Sequence, residues 1–294
     1  MKKFYFLMLC LLTLSVSAIA QTVKSVSSPD GNIKVDVRIG NGITYDVYCG
    51  EEKVLTDCRM SMDIEGNVLG SLPKLQSVKR QKVNDVKRPF LKLKFAEVPN
   101  NYNEMTLVMK GNYSVVFRAY NDGLAYRFVT SLKGEVKVNH EDITVFFPQD
   151  AQLVLQQSDR YRTSYEERYS FVKSSEWLSF NKMAHYPVLA ITSGGTKILM
   201  SESDLCDYPA PFFRSNDANG FSSVFPRVPA VEKPRSDKSN DVLLRHPYIA
   251  KTQGTRSFPW RYFVIAKDEA ALVTNTMTCR LAQDSKLQDV SWIV

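Results

Sequence analysis

Ile33-Lys34-Val35-Asp36-Val37-Arg38-Ile39 decides the fold class. Apolar and charged residues alternate without a break, the period of a β-strand with one face on a core and one in water. Asn41-Gly42 follows, the dipeptide of a tight primed turn. Ile43-Thr-Tyr-Asp-Val-Tyr-Cys49 then runs back, and Lys53-Val-Leu-Thr56 continues the meander. Ser28-Pro29-Asp30-Gly31-Asn32 is the turn cluster that leads in.

The same signature recurs downstream. Phe90 to Phe95, Asn103 to Met109, Tyr113 to Tyr120, Leu124 to Thr130 and Asp142 to Phe147 read as short strands. Asn121-Asp122-Gly123 joins two of them as a hairpin. His185 to Thr192 returns to strand, as does Lys197-Ile-Leu-Met200 after the Gly194-Gly195 turn. Thr255 to Ala266 is a turn feeding an apolar strand, and Met277 to Ala282 reads as a last one. Asp268-Glu-Ala-Ala-Leu-Val273 is the only convincing helix, with Asp268 as its cap and Glu269 at its positive end. Residues 214–240 are rich in Ser, Asn, Asp, Pro and Lys and form an exposed excursion. A dozen or more strands against one short helix, with no repeat period and no linker, give a single large all-β sandwich.

Before that domain stands a leader. Lys2 and Lys3 precede the apolar run Phe4–Leu14, and Ala18-Ile-Ala20 carries the small residues a signal peptidase reads. Residues 1–20 are therefore expected to be a signal peptide, and the protein to be exported, to the periplasm of a bacterium. Nothing else in the sequence is long and apolar enough to span a bilayer, so no membrane contact is expected after cleavage. Removing the leader from 294 residues leaves 274, with the net charge falling from +7 to +5 as Lys2 and Lys3 go. Basic residues are scattered and interrupted, which reads as a solvated surface and excludes a nucleic-acid footprint. Cys49, Cys58, Cys206 and Cys279 remain. Cys49 and Cys58 flank a hairpin unequally, and at about 3.3 Å per residue they are too far apart to bond in a straight one.

The sequence lacks several chemistries. No Gly-x-Ser-x-Gly elbow is present. His140, His185 and His246 have no zinc spacing, and each reads as structural or exposed. Gly194-Gly195 is a turn rather than a phosphate loop. Between 150 and 182, Tyr161, Tyr165, Tyr169 and Trp177 interleave with Arg160, Arg162, Glu166, Glu167 and Arg168. Such a mixture either lines a sugar site or packs as a loop over a sandwich edge. The most informative stretch is Ile198-Leu-Met-Ser-Glu202-Ser-Asp204-Leu-Cys-Asp207-Tyr-Pro209. It sets three carboxylates at a strand exit, where Pro209 ends the pairing. A carboxylate there can hold a ligand or a cation, or be an ordinary solvated acid. The stretch lacks the central glycine and distal glutamate of a calcium loop.

Taken together, these pieces resemble the N-terminal domain of glycoside hydrolase family 97. The resemblance rests on the leader, Ser28–Asn32, the Ile43-Thr-Tyr45 hairpin, Asn121-Asp-Gly-Leu-Ala-Tyr-Arg-Phe128, Glu202–Pro209, Phe258-Pro-Trp-Arg261 and the ending from Asp268 to Trp292. It implies a β-super-sandwich of the galactose-mutarotase type, over residues 21–294, that packs on a catalytic (β/α)8 barrel. It also implies the function: part of an exported, calcium-dependent α-glycosidase acting on α-glucosides or α-galactosides. The catalytic carboxylates belong to the barrel, so no catalytic residue is expected in this chain. Glu202 falls where the family has a glutamate ligand to an active-site calcium. Trp260, Arg261 and Trp292 are expected where the sandwich docks the barrel, and Trp292 to be poorly packed without it. The chain ends where the barrel would begin, so a fragment, a truncated gene or a stand-alone carbohydrate-binding sandwich are the alternatives. Glu202 is expected exposed at the rim, with Asp204 on the same face if the strand runs on. On that basis no tight calcium binding by the chain alone is expected.

Overall fold

A computed structural model describes residues 21–90, 94–177, 182–216 and 219–285. Strands β1 (Thr22–Ser27), β2 (Ile33–Ile39), β3 (Ile43–Cys49) and β4 (Glu52–Ile64) form the antiparallel meander that the alternating stretch announces. Every odd residue of β2 is buried, and no even one is. β5 (Asn67–Leu69) folds back on β4. A second meander, β6 (Leu75–Lys87), β7 (Val98–Met109) and β8 (Tyr113–Tyr120), leads into β9 (Gly123–Phe146).

β9 is the spine of the domain. The stretches Leu124–Thr130 and Asp142–Phe147, expected as two strands, are the two ends of this one 24-residue strand. Its start is pinned: a Cβ on Gly123 would lie 2.1 Å from the Phe263 carbonyl oxygen, so only glycine lets the two chains approach.

The second half of the chain supplies β10 (Gln152–Ser158), β11 (Tyr169–Lys173), β12 (Met183–His185), β13 (Val188–Ile191), β14 (Lys197–Ser203), β15 (Phe212–Ser215) and β16 (Gly220–Val224). Then come a separate two-stranded hairpin, β17 (Pro229–Ser236) with β18 (Ser239–Arg245), and the strands β19 (Ala250–Ser257) and β20 (Trp260–Ala266). The excursion expected over 214–240 is thus partly an ordered, solvent-facing hairpin. The pairings β9–β20–β14–β13 and β12–β15–β16–β9 meet at β10, which pairs with both β12 and β13. Val188–Ile191 pair with β14, whereas Met183–His185 pair with β15. The sheet therefore forks at Tyr186-Pro187.

The chain ends its described course in two helices rather than one. Asp268 caps α1 (Glu269–Val273), its side chain accepting from the Ala271 amide. Met277–Ala282, expected as a strand, is instead occupied by α2 (Met277–Leu281). Met277, Arg280 and Leu281 are buried together at the i, i+3, i+4 spacing of one helical face, whereas a strand would turn the neighbours Arg280 and Leu281 to opposite sides. β20 is consequently buried on both sides. Phe263 and Ile265 enter the main core, while Trp260, Tyr262 and Val264 enter the second core under α2. Among the described residues no helix is long and apolar enough to cross a membrane. Cys49, Cys58, Cys206 and Cys279 are free thiols.

The strand expected over Phe90–Phe95 is not formed at Phe90, Lys94 or Phe95, and its centre lies outside the described residues. The leader (1–20) and Trp292 also lie outside them.

Candidate functional site

Register alone brings the charged residues together. Across β14 and β20, Glu202 is the partner of Arg261; across β20 and β9, Arg261 is the partner of Tyr126. Arg261 takes the core-facing parity of β20, beside Phe263 and Ile265. Glu141 takes the same parity in β9, ahead of Ile143 and Val145. The Arg261 guanidinium is 0% exposed and grips Glu141 with two bonds. Its Nε donates to Glu141 Oε1 at 3.0 Å and its Nη2 to Oε2 at 2.7 Å. The remaining Nη1 donates to Glu202 Oε2. Tyr208 and Phe225 flank the guanidinium, with ring centroids 6.0 and 5.9 Å from its central carbon.

Two carboxylates share one guanidinium, which leaves the cluster one negative charge in excess. Burial pushes the Glu202 carboxyl above its ordinary value, and the like charge of Glu141 adds to this; pairing with Arg261 opposes it without cancelling it. A raised acid binds its proton more tightly folded than unfolded, so ionised Glu202 costs stability near neutral pH. Glu202→Gln is therefore expected to stabilise the fold at pH 7. Arg261 keeps both bonds to Glu141, and the amide oxygen can still accept from Nη1. The gain should vanish as pH falls into the ordinary carboxylate range, where Glu202 is protonated in both states. Urea unfolding at pH 7 and at pH 4 checks this; a loss at pH 7 would mean that Glu202 is held for stability.

Several expectations about this region need correction. Glu202 is not exposed at the rim: its side chain is 12% exposed, because the register sets it opposite Arg261. Asp204 does not share its face. The strand ends at Ser203, and Asp204 adopts a left-handed backbone, φ +63°. Its carboxylate turns instead toward Arg127, 3.7 Å away, and accepts from the Gln283 amide. Asp207, also left-handed, lies by the Thr252 hydroxyl. The three acids of the stretch thus go to three places. Among the described residues no group of three or more Asp, Glu, His or Cys side chains could hold a metal.

Trp260 and Arg261 lie on a strand, β20, as expected, and both side chains are buried within the domain. Arg261 is sealed inside the core. Trp260 is buried in the second core with Met277 and Leu281 of α2, and the guanidinium groups of Arg118 and Arg127 rest on its ring at 4.5 and 4.1 Å. Glu141 escaped the sequence reading. The signal was there, since Glu141-Asp-Ile-Thr-Val145 puts a glutamate at the parity of the buried Ile143 and Val145. His185, expected as structural or exposed, is buried at the fork.

Residues 26–283 match the family model for the glycosyl-hydrolase 97 N-terminal domain. The chain belongs to that family. All of it aligns with a retaining alpha-galactosidase of Bacteroides thetaiotaomicron, 33% identical, of which it spans 46%. A family 97 enzyme from Pseudoalteromonas sp. strain K8, solved in complex with acarbose, superposes with a TM-score of 0.77. That match has 21% identity and covers 92% of this chain but 39% of that one. A beta-arabinopyranosidase structure gives 0.70 at 20% identity, over 83% of this chain and 40% of its own. The family 97 domain described here thus spans less than half the length of the relatives it matches.

Proposed function

We propose that this family 97 N-terminal domain supplies Glu202 to the active site of an exported α-glycosidase, as one carboxylate ligand of a calcium ion shared with a (β/α)8 barrel. The carrying observation is the shared guanidinium. Arg261 holds Glu202 by one oxygen, and the buried excess of one negative charge favours a cation at the other. Calcium takes six to eight oxygens, so a single carboxylate suits one corner of a shared site. When bound, the ion would supply positive charge beside the sugar; Arg261 and Glu141 would fix the angle at which Glu202 meets it. The retaining alpha-galactosidase relative favours α-galactosides over α-glucosides as substrates. The leader at residues 1–20 supports export to the periplasm.

A chimera tests this: the domain replaces the matched part of the Bacteroides enzyme and is offered an aryl α-galactoside. Calcium-dependent hydrolysis is expected, at least about 100-fold lower in the Glu202→Gln chimera. A folded chimera indifferent to that change would refute the assignment. The chain alone is expected to show no turnover above its own Glu202→Gln control.

A further inference from the structure

The fork holds a second polar group that the Glu202 cluster does not use. The His185 ring lies at the end of β12 and is 3% exposed. Its Nδ1 is 3.0 Å from the Tyr186 carbonyl oxygen. A carbonyl only accepts, so Nδ1 carries the proton and, in the neutral ring, Nε2 presents a lone pair. That Nε2 is buried and has no hydrogen-bond partner. Buried polar atoms left bare are uncommon and cost stability, so this one calls for a donor.

The cover over His185 is Tyr165, from the loop between β10 and β11. Its ring meets the imidazole edge-on at 4.6 Å and Phe212 at 6.2 Å. Tyr165 is nonetheless 52% exposed, and its backbone is left-handed, φ +60°, which is uncommon for a bulky residue. Tyr161 also packs edge-on against Phe212 at 5.2 Å. The Tyr165 phenol also feels Glu202: burial raises it first, and the Glu202 charge raises it further. A half-exposed aromatic ring and an acceptor that lacks a hydroxyl donor thus adjoin at the fork, and Glu202 stands near them, two residues past Met200, which pairs with Val188 at the start of β13.

We propose that Tyr165 and His185 form a subsite for a neutral pyranoside beside Glu202, in which the Tyr165 ring turns aside to stack on the sugar face and a sugar hydroxyl donates to His185 Nε2. Without sugar, Tyr165 covers the imidazole. The subsite deepens the glycosidase reading and rests on it for the ligand class; the residues themselves are not Glu202 ligands.

Imidazole 15N and tyrosine ring NMR spectra of the chain, recorded while titrating methyl α-D-galactopyranoside, test it. The His185 Nε2 and Tyr165 signals should shift together and saturate in the millimolar range. Galactitol has the hydroxyls but no ring face, and should leave both signals still. Tyr165→Phe should keep the affinity, Tyr165→Ala should lower it about fivefold through lost stacking, and His185→Phe should abolish it. Absence of any shift, equal shifts with galactitol, or full affinity in Tyr165→Ala would each overturn the subsite. Glu202→Gln separates the two readings. A sugar shift that survives this change supports the subsite even if Glu202 proves indifferent to calcium. A calcium response at Glu202 without a sugar shift removes the subsite alone.

Discussion

Arg261→Ala should cost about 3–5 kcal/mol of stability, the range for removing one partner of a buried ion pair. The arginine satisfies three carboxylate oxygens on two residues, and Glu141 is almost as closed to solvent as Arg261 itself. Without it, two acids stay in the core with no counter-charge, walled by Tyr208 and Phe225. The loss comes from the stranded charges more than from the missing side chain. An Arg261→Met, Glu141→Gln, Glu202→Gln triple variant should therefore recover most of it, since neutral groups of similar volume tolerate burial far better. Urea unfolding of the single and triple variants measures both numbers. A single-variant loss below about 1 kcal/mol would show that the cluster is open to water and does not hold Glu202.

Trp260→Ala should cost a comparable amount, about 3–5 kcal/mol, by the usual scale for deleting a large buried aromatic. Two further effects accompany the cavity. Arg118 and Arg127 each lose the ring face they rest on, and α2 loses part of the surface under Met277 and Leu281. Trp260→Phe keeps an aromatic face and should recover more than half of the loss. Chemical unfolding followed by far-ultraviolet circular dichroism gives both values. A loss within 0.5 kcal/mol of zero, as for an ordinary surface position, would place Trp260 at an outward-facing surface instead.

The residues of β2 and β3 announced themselves because one face is wet and the other dry, so the alternation is written into the chain. β6 did not. Leu75–Lys87 pairs with β7 as an edge strand and is almost wholly solvated, and its run of lysine, arginine and glutamine is what protects an exposed edge. The middle of β9 hid for the same reason: Ser131 to Glu135 is largely exposed, so one strand looked like two. α2 was mistaken for a strand because six residues cannot distinguish a short helix from a short strand by period. In the site, the family resemblance singled out Glu202, but its environment was not legible. Burial of Glu202 follows from its register against Arg261, and the Arg261–Glu141 pair joins positions 120 residues apart. Asp204 was misplaced because a single left-handed residue reverses a side chain, and nothing in Glu-Ser-Asp specifies it.

Side-chain carboxyl 13C NMR of the chain during a calcium titration tests the central claim most directly. The Glu202 carboxyl is expected to be the signal that moves, with an apparent affinity on the order of millimolar, because one carboxylate and water are all that these residues offer the ion. Micromolar saturation that also moves Asp204 or Asp207, or a Glu202 signal still unmoved at tens of millimolar calcium, would contradict it.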